Sequence, residues 1–514
     1  MAMSDTAVVE SGTRLQNFLD RAGLRGFPWK TATILYTISW GWLFIVHDSL
    51  WSDDWDGFKF VEIGGFRDLY NALGFAPWMR VNFFLFDALG AGIFRLVVFV
   101  AFFFAAIFLN GVLVKAHSIS YAERRMIVLV FLLAPFNSAR LQLNVFHYTE
   151  AYFLFFAAWY ALVAFDSRKS KFIACILFFL SFQMFTMMVF FLLPVAHLFV
   201  LDRGGKTRYA FDWIKNNLVL ILLPAIYWLS RALLWPSTQT YHEITERKVN
   251  GFFVFLLMSF LIFTGSFICY NIAKPSTKKK VLLVLFGLVA MFLGYFPYVL
   301  FGQVGNGSNV PLTYLVILFG RSDWYSRHQT LQPLGFSILL VGLIGLLPIF
   351  TRRFKSWIVG AILAISVVFN VVFGFEYVVD HAKQNSIVTA LDAEPNKTAG
   401  EEIQIVDQTT FLNARQRSYR QRDWLGLVAL ADGVESAKKL QVVGGCSENP
   451  NTRLVLIQGP ETHWDALKNW VSDGDMGFEV TVDDTSGACK PEMVKNQRSA
   501  GAIPILFYFT GAKG

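Results

Sequence analysis

The chain has 514 residues, of which 55% are hydrophobic and 17% aromatic, whereas only 16% are charged. A soluble domain of this length would carry more charge, so the composition argues against a soluble enzyme and indicates a polytopic membrane protein. The net charge of +8 does not indicate nucleic-acid binding, because the basic residues lie in short loops between apolar segments, as the positive-inside rule describes. Four cysteines are too few to indicate a disulfide scaffold or a zinc cluster.

Residues 1–30 are polar with mixed charge, and they are predicted to form a cytoplasmic segment without a cleavable signal peptide. The first apolar run, Thr31–Val46, is predicted to be an uncleaved membrane anchor. Nine further apolar segments follow it, at 93–114, 125–136, 149–165, 172–201, 217–235, 251–273, 281–301, 333–350 and 356–378.

Five clusters of Lys and Arg separate these segments, and they determine the predicted topology. If all five clusters are cytoplasmic, each interval between two of them contains two membrane crossings. The interval 172–201 then divides near Ser181–Gln183 into two short segments, and 125–165 becomes a hairpin with its tip at Phe136–Tyr148. The sequence therefore predicts a mostly α, polytopic helical membrane domain of about eleven spans over residues 31–379.

The composition changes after Tyr377, where the apolar segments end. Residues 380–514 are predicted to form a small α/β domain outside the membrane, because short strand-like runs alternate with helix-like ones. The strand-like runs are Ile403–Val406, Leu454–Ile457, Phe478–Val482 and Ile505–Phe509, and the helix-like runs are Ser418–Ala431 and Thr462–Val471. We predict a disulfide bond between Cys446 and Cys489, because this domain would lie in an oxidising compartment.

An acidic stretch directly follows the first apolar run. It reads His47-Asp-Ser-Leu-Trp-Ser-Asp-Asp-Trp-Asp-Gly57 and contains the adjacent pair Asp53 and Asp54 between Trp51 and Trp55. Carboxylates at the edge of a bilayer are costly unless they bind, pair or transfer protons, whereas Trp is a natural interface anchor. The stretch is either a solvated loop or a site that holds a polar substrate and accepts a proton from it.

Other polar residues are predicted to gather on the same, non-cytoplasmic face. The hairpin region carries Asn144, His147, Tyr148 and Glu150, and the loop before the tenth span carries Arg321, Trp324, Tyr325, Arg327 and His328. His147 and Glu150 either pair with each other or contact a substrate. The planar guanidinium of arginine suits phosphate oxygens, and a phosphate at this depth would belong to a lipid-borne group.

The segment Ser52-Asp53-Asp54-Trp55, in the first outer loop of a chain with about eleven spans, resembles the acidic motif of the GT-C superfamily of membrane glycosyltransferases. Within that superfamily, the chain resembles the bacterial serotype-converting O-antigen glucosyltransferases. Trp78–Asn82 occupies the place of their Gly-Arg-Pro-like turn but has neither the Gly nor the Pro. Asn144–Glu150 is loosely similar to their second-loop pattern, and Ser326–His328 is similar to their Arg/His lipid-phosphate region.

This resemblance implies an enzyme that transfers a sugar from a polyprenyl phosphate to a hydroxyl of an extracytoplasmic glycan or glycolipid, such as O-antigen lipopolysaccharide. Asp53 or Asp54 would be the general base, with inversion at the anomeric carbon. The expected donor-phosphate contacts are Arg327, His328, Arg321 and Arg80, and the expected substrate contacts are Trp51, Trp55, Asn144, His147, Tyr148, Glu150, Trp324 and Tyr325.

The same resemblance implies a multi-pass protein of a bacterial inner membrane. The five basic clusters predict that its N-terminus is cytoplasmic and that its C-terminal domain lies on the other, periplasmic side. The sequence contains no His-Glu-x-x-His motif and no clustered His/Asp arrangement, so it requires no metal. No cofactor is expected besides the polyprenyl-phosphate sugar, which is the donor substrate. Two other classes remain open. A transporter or flippase of lipid-linked sugars would share the composition, although it more often shows repeated halves. A surface-polysaccharide polymerase or ligase would also use Arg/His loops, but it would not need the Asp pair.

Overall fold

The computed structural model describes residues 26–51, 54, 74–116, 119–136, 138–203, 210–237, 275–300, 329–347, 351–393, 402–414, 417–433, 441–443 and 453–483. Most of these residues are helical, and a four-stranded sheet follows the last long helix of the N-terminal part. The predicted combination of a mostly α chain with a small C-terminal α/β unit is therefore confirmed.

Most helices of the N-terminal part overlap the predicted apolar segments, whereas Met79–Leu89 and Ala210–Asn216 lie outside them. Their bounds are α1 Trp29–Trp40, α2 Met79–Leu89, α3 Ala91–Lys115, α4 Tyr121–Leu133, α5 Phe146–Ala164, α6 Arg168–Ser181, α7 Thr186–Phe190, α8 Leu192–Arg203, α9 Ala210–Asn216, α10 Leu218–Leu234, α11 Pro275–Leu300, α12 Gln332–Leu346 and α13 Arg352–Asp392. Short 3-10 helices lie at Gly41–Phe44, Ser138–Leu141 and Leu143–Val145. The apolar segment 251–273 lies outside the described residues.

Two of the described helices, α3 and α13, are long and apolar enough to cross a membrane. Other apolar helices are shorter: α10 has 17 residues and α12 has 15, whereas a span needs about 20. The helices that the structure describes therefore do not confirm the count of about eleven spans.

The predicted division of 172–201 is confirmed, because α6 ends at Ser181 and α7 begins at Thr186. The Ser181 hydroxyl donates a hydrogen bond of 2.7 Å to the carbonyl oxygen of Phe178, and such side-chain bonds compete with the regular helical pattern. The turn between the two helices brings the buried side chain of Gln183 to Glu150 of α5.

Helices α3, α4 and α5 pack around stacked aromatic rings. The ring of Phe102 on α3 lies 5.4 Å from that of Phe131 on α4, and the ring of Tyr152 on α5 lies 5.8 Å from each of them. All three side chains are buried, and such ring pairs contribute about 0.5–1.5 kcal/mol beyond the burial of their surface. This packing holds α3 beside α5, and both helices carry polar residues of the candidate site near their N-terminal ends.

Helices α11 and α12 approach each other through glycines. A Cβ added at Gly335 would lie 2.5 Å from the backbone nitrogen of Met291, and one added at Gly287 would lie 2.5 Å from the backbone nitrogen of Leu339. Side chains do not come so close to a backbone, so this contact requires glycine. Small residues serve the same purpose where helices pack in membranes.

We expect Gly335→Ala to force α12 away from α11 and to lower the free energy of unfolding by about 1–3 kcal/mol, the usual cost of overpacking. Gly360→Ala on α13 is the matched control, because a Cβ there would meet no atom within 4 Å. Thermal unfolding of the two variants in detergent measures the difference. An unfolding temperature of Gly335→Ala equal to that of the control would contradict the packing described for α11 and α12.

The longest helix, α13, has 41 residues, which extend over about 60 Å, twice the ~30 Å hydrocarbon core of a bilayer. The domain boundary predicted at residues 379 and 380 falls inside this helix. No local pattern indicates that the helix continues, because the apolar run ends there and polar residues follow. The last turns of the helix remain ordered because Ile387 and Leu391, four residues apart on one face, are buried against the C-terminal unit.

The C-terminal unit contains the strands β1 Glu402–Asp407, β2 Gln441–Val443, β3 Arg453–Gln458 and β4 Glu479–Asp483, in the order β2-β1-β3-β4. β1 is parallel to β2 and β3, and β3 is antiparallel to β4. The helices α14 Gln421–Asp432 and α15 His463–Asp473 connect the strands. Three predicted strands and both predicted helices are confirmed, β2 was not predicted, and Ile505–Phe509 lies outside the described residues.

A buried polar network fastens the end of α13 to this unit. Lys383 is fully buried, and its Nζ donates to Asp407 Oδ2 and to Asn413 Oδ1, each at 2.6 Å. One turn earlier, Asp380 accepts hydrogen bonds from the backbone N–H of Ala414, at 3.0 Å, and from the Tyr419 hydroxyl. Burial raises the pKa of Tyr419 well above its ordinary value, and the neighbouring carboxylate of Asp380 raises it further, so Tyr419 remains a hydrogen-bond donor.

An apolar core also joins the C-terminal unit to the helices. Leu50 after α1, Met79 at the start of α2 and Phe146 at the start of α5 belong to one buried cluster with Ile405 of β1 and Val455 of β3. The first loop, the hairpin region and the C-terminal unit therefore meet at one end of the helical part.

His463 makes the stability of the C-terminal unit dependent on pH. Burial lowers the pKa of this side chain to about 4, although a hydrogen bond with the backbone of Leu412 acts in the opposite direction. In the unfolded chain a histidine titrates near ~6.5. Below pH ~6.5 the unfolded state therefore binds a proton that the folded state does not bind. The free energy of unfolding decreases as the pH falls from ~6.5 towards ~4, by up to about 3 kcal/mol.

We therefore expect the unfolding temperature of the C-terminal unit to fall between neutral pH and about pH 4.5, and to fall less in His463→Gln, which does not titrate. Thermal unfolding of both proteins across this range measures the effect. Parallel curves for the two proteins would contradict the assignment of the pH dependence to His463.

Candidate functional site

Asp54 is the member of the acidic pair that the structure describes, and its side chain is fully buried. The Asp54 carboxylate accepts a hydrogen bond of 3.3 Å from the backbone N–H of Trp51, and the backbone N–H of Asp54 donates to the Trp51 carbonyl at 3.1 Å. These two bonds join Trp51 to Asp54, and we call the described residues Asp48, Trp51 and Asp54 the acidic turn. Asp53 and Trp55 lie outside the described residues.

A buried arginine near the start of α3, Arg95, lies beside this turn. Its Nη2 donates to the carbonyl oxygen of Ser49 at 2.8 Å, and its Cζ lies 5.0 Å from the centre of the Trp51 ring. The carboxylates of Asp54 and Asp48 both act electrostatically on the guanidinium. Arg95 Nε and Nη1 make no hydrogen bond to any residue that the structure describes, so the acidic turn is folded around a cation that keeps two donor nitrogens uncommitted.

Aromatic side chains enclose the turn on the side of α13. The Trp51 ring meets that of Tyr377 edge to face at 5.2 Å, and Tyr377 stacks on Trp42 at 5.5 Å. Trp51 and Tyr377 are buried. Trp51 therefore lies in the interior, between Arg95 and Tyr377.

Helix α13 also brings a histidine to the acidic turn. His381 Nε2 lies 3.4 Å from Asp48 Oδ1, and His47 Nδ1 lies 3.7 Å from the same oxygen. The neighbouring residue, Asp380, is bonded to the C-terminal unit. Helix α13 therefore contacts the acidic turn through His381 and the C-terminal unit through Asp380.

The predicted substrate contacts of the hairpin region lie in different surroundings. His147 is buried, and its ring lies 5.4 Å from that of Phe75 and 4.6 Å from that of Tyr148. Asn144 belongs to the 3-10 helix Leu143–Val145, and its side chain lies outside the described part. Glu150 bonds to Asn82 and Gln183 and not to His147, so the pairing of His147 with Glu150 is not found.

Several predicted site residues lie outside the described residues, namely Arg321, Trp324, Tyr325, Arg327, His328, Cys446 and Cys489. Arg80 lies in the first turn of α2, and its side chain is likewise outside the description. The roles given to these residues, including the disulfide bond, remain predictions.

Two buried arginines, Arg95 and Arg140, were not predicted as site residues. The Arg140 guanidinium lies 3.3 Å above the Trp40 ring and 4.3 Å from the Phe102 ring. A signal for Arg95 was present in the sequence, because it stands inside the apolar segment 93–114, where a charge is costly and commonly functional. Arg140 had no such signal, because the hairpin tip was predicted to lie outside the membrane.

The acidic turn and its neighbours combine carboxylates, a buried guanidinium and aromatic rings. Carboxylates can accept a proton, and a guanidinium can stabilise a nearby negative charge. Among the described residues, no three His, Cys, Asp or Glu side chains are grouped as metal ligands. The chain is thus a mostly helical protein with a docked α/β unit and an acidic turn built around a buried arginine. Comparison with protein-family models, with curated proteins and with solved structures found no match.

Proposed function

We propose that the protein is a membrane glycosyltransferase of the GT-C type. It transfers a sugar from a polyprenyl-phosphate donor to a hydroxyl of an extracytoplasmic glycan or glycolipid, such as O-antigen lipopolysaccharide, with inversion at the anomeric carbon. In this proposal the chain crosses a bacterial inner membrane about eleven times. The N-terminus is cytoplasmic, and the C-terminal unit is periplasmic.

The observation that carries the proposal is the position of Asp48 and Asp54 beside the buried Arg95. Transfer from a lipid phosphate needs a base for the attacking hydroxyl and a cation near the departing phosphate. The first loop contributes the carboxylates. Arg95 contributes a positive charge beside these carboxylates. Its guanidinium is fully buried, so this charge acts electrostatically and not through contact with the donor.

We assign different roles to the two adjacent aspartates. A general base has to reach the proton that it removes, whereas Asp54 is fully buried and bonded to the Trp51 N–H. Asp54 therefore holds the turn against Arg95, and Asp53 is the base. Carboxylates commonly act as general bases in enzymes, and in this proposal Asp53 takes the proton of the acceptor hydroxyl.

The donor phosphate is assigned to the residues proposed from the sequence, Arg327, His328, Arg321 and Arg80, because the Arg95 side chain is fully buried. These cations would offset the negative charge that develops on the phosphate as the glycosidic bond breaks. They would also bind the donor before the reaction, so their loss should weaken donor binding as well as turnover.

A panel of polyprenyl-phosphate sugars and nucleotide sugars, offered to the purified protein with a bacterial polysaccharide acceptor, tests the function. We expect one polyprenyl-phosphate sugar to be consumed, with release of polyprenyl phosphate and growth of the acceptor. Consumption of a nucleotide sugar alone, or of none of the donors, would contradict the proposal.

A further inference from the structure

A second carboxylate, that of Glu150, lies near the start of α5, away from the acidic turn. Asn82 Nδ2 donates to Glu150 Oε2 at 3.0 Å, and Gln183 Nε2 donates to the same oxygen at 3.3 Å. Glu150 Oε1 accepts no hydrogen bond from the described residues, and no described cation forms a salt bridge with the carboxylate. Glu150 is therefore held by two neutral amides on one oxygen, while the other oxygen is uncommitted.

The orientation of the Gln183 amide is fixed from its other end. Trp78 Nε1 donates to Gln183 Oε1 at 2.8 Å, so the amide NH2 group faces Glu150. Asn82 and Gln183 are buried, and they come from sequence positions 68 and 33 residues away from Glu150. Three separate elements thus converge to present one carboxylate oxygen in a fixed position, as a preorganised binding site requires.

Aromatic side chains stand beside this arrangement. The Trp78 ring lies 5.7 Å from that of Trp235 and 6.4 Å from that of Tyr227. Tyr227 is fully buried, and neither its hydroxyl nor Trp235 Nε1 has a hydrogen-bond partner among the described residues. The aromatic group is thus connected to the carboxylate through Trp78 and Gln183.

The charges around this arrangement restrict the ligand. A phosphate would be repelled by the uncompensated Glu150 carboxylate. A metal ion is disfavoured, because the described residues hold no group of three His, Cys, Asp or Glu side chains that could bind it. A neutral ligand rich in hydroxyl groups fits both conditions, because its hydroxyls can donate to a carboxylate and its C–H faces can pack on aromatic rings.

We propose that Glu150, Asn82, Gln183, Trp78, Tyr227 and Trp235 form a saccharide subsite, which we call the Glu150 cluster. Glu150 Oε1 accepts a hydrogen bond from a ring hydroxyl, and Trp78 and Trp235 pack on the sugar. Resting on the proposed function, this subsite holds a neutral sugar unit of the acceptor glycan. It lies at the end of the helices that carries the acidic turn, because Met79, three residues before Asn82, shares a buried core with Leu50.

Binding is tested with the full-length protein in lipid nanodiscs on an array of immobilised bacterial polysaccharides and simple hexosides. We expect the wild type to bind a subset of these glycans, and Glu150→Gln to bind the same glycans at least tenfold more weakly. Glu461→Gln is the matched control, because Glu461 is an exposed residue of the C-terminal unit. If Glu150→Gln fails to fold, Trp235→Leu replaces it in the test, and Trp464→Leu, at a half-exposed position, is its control. Trp235→Leu should then bind the glycans more weakly than Trp464→Leu does.

Binding of no glycan by the wild type, or equal binding by wild type and both cluster variants, would overturn the subsite. The transfer assay separates this failure from failure of the proposed function. If sugar transfer occurs and Glu150→Gln leaves the acceptor KM unchanged, the subsite is wrong and the transferase stands. If no donor is used but glycan binding depends on Glu150, the subsite stands and the transferase is wrong.

Discussion

The Asp53→Asn variant should fold and bind the lipid-linked donor but lose sugar transfer by roughly a hundred- to ten-thousandfold, the usual contribution of a positioned general base. An amide cannot take the proton of the attacking hydroxyl, whereas it keeps nearly the shape of the carboxylate. The measurement is the initial rate of transfer at saturating donor and acceptor. The donor KM should be nearly unchanged, because proton transfer contributes only in the transition state.

The Asp54→Asn variant should behave differently, because its carboxylate is buried beside Arg95. Its removal leaves a buried guanidinium with less compensation, which commonly costs several kcal/mol of stability, so the unfolding temperature should fall together with activity. Asp166→Asn, an exposed carboxylate between α5 and α6, is the control for both variants. Wild-type turnover in the Asp53→Asn/Asp54→Asn double variant would contradict the mechanism.

The largest expected effect on stability is that of Lys383→Met. This change removes a fully buried ammonium and leaves the Asp407 carboxylate, also buried, without its cation. Breaking a buried ion pair from one side costs about 3–5 kcal/mol, because an uncompensated charge stays in the interior. Asn413 would lose a partner in the same step.

Thermal unfolding and limited proteolysis between α13 and the C-terminal unit measure this effect, and the variant should unfold and be cleaved more readily. Lys468→Met is the matched control, since Lys468 pairs with Asp465 at 3.3 Å on the surface, where 60% of its side chain is exposed. Exposed pairs contribute at most about 1 kcal/mol. Equal unfolding temperatures for the two variants would show that the Lys383–Asp407 pair does not stabilise the packing of the C-terminal unit on α13.

Local patterns predicted the elements well. The apolar run 93–114 became α3, and the division near Ser181 followed from counting basic clusters, because both depend on residues close together in the chain. The strand β2 was missed because three residues, Gln441–Val443, carry too little alternation to be recognised. The continuation of α13 was missed because its last turns are stabilised by partners far away in sequence.

The candidate site was predicted only in part, for the same reason. The acidic pair could be recognised from its place after an apolar run, but Arg95 becomes its neighbour only through folding, 41 residues beyond Asp54. Glu150 was singled out without its true partners, because Asn82 and Gln183 approach it from other elements. A single sequence does not contain these pairings in any local pattern.

Liposomes that contain the purified protein, a polysaccharide acceptor and a polyprenyl-phosphate sugar labelled in the sugar test the central proposal most directly. We predict that the label appears in a new glycosidic bond of the acceptor and that an equal amount of unlinked polyprenyl phosphate is released. Asp53→Asn should abolish both products. Movement of the label to the other leaflet with the lipid–sugar bond intact would contradict the transferase and indicate a transporter of lipid-linked sugars.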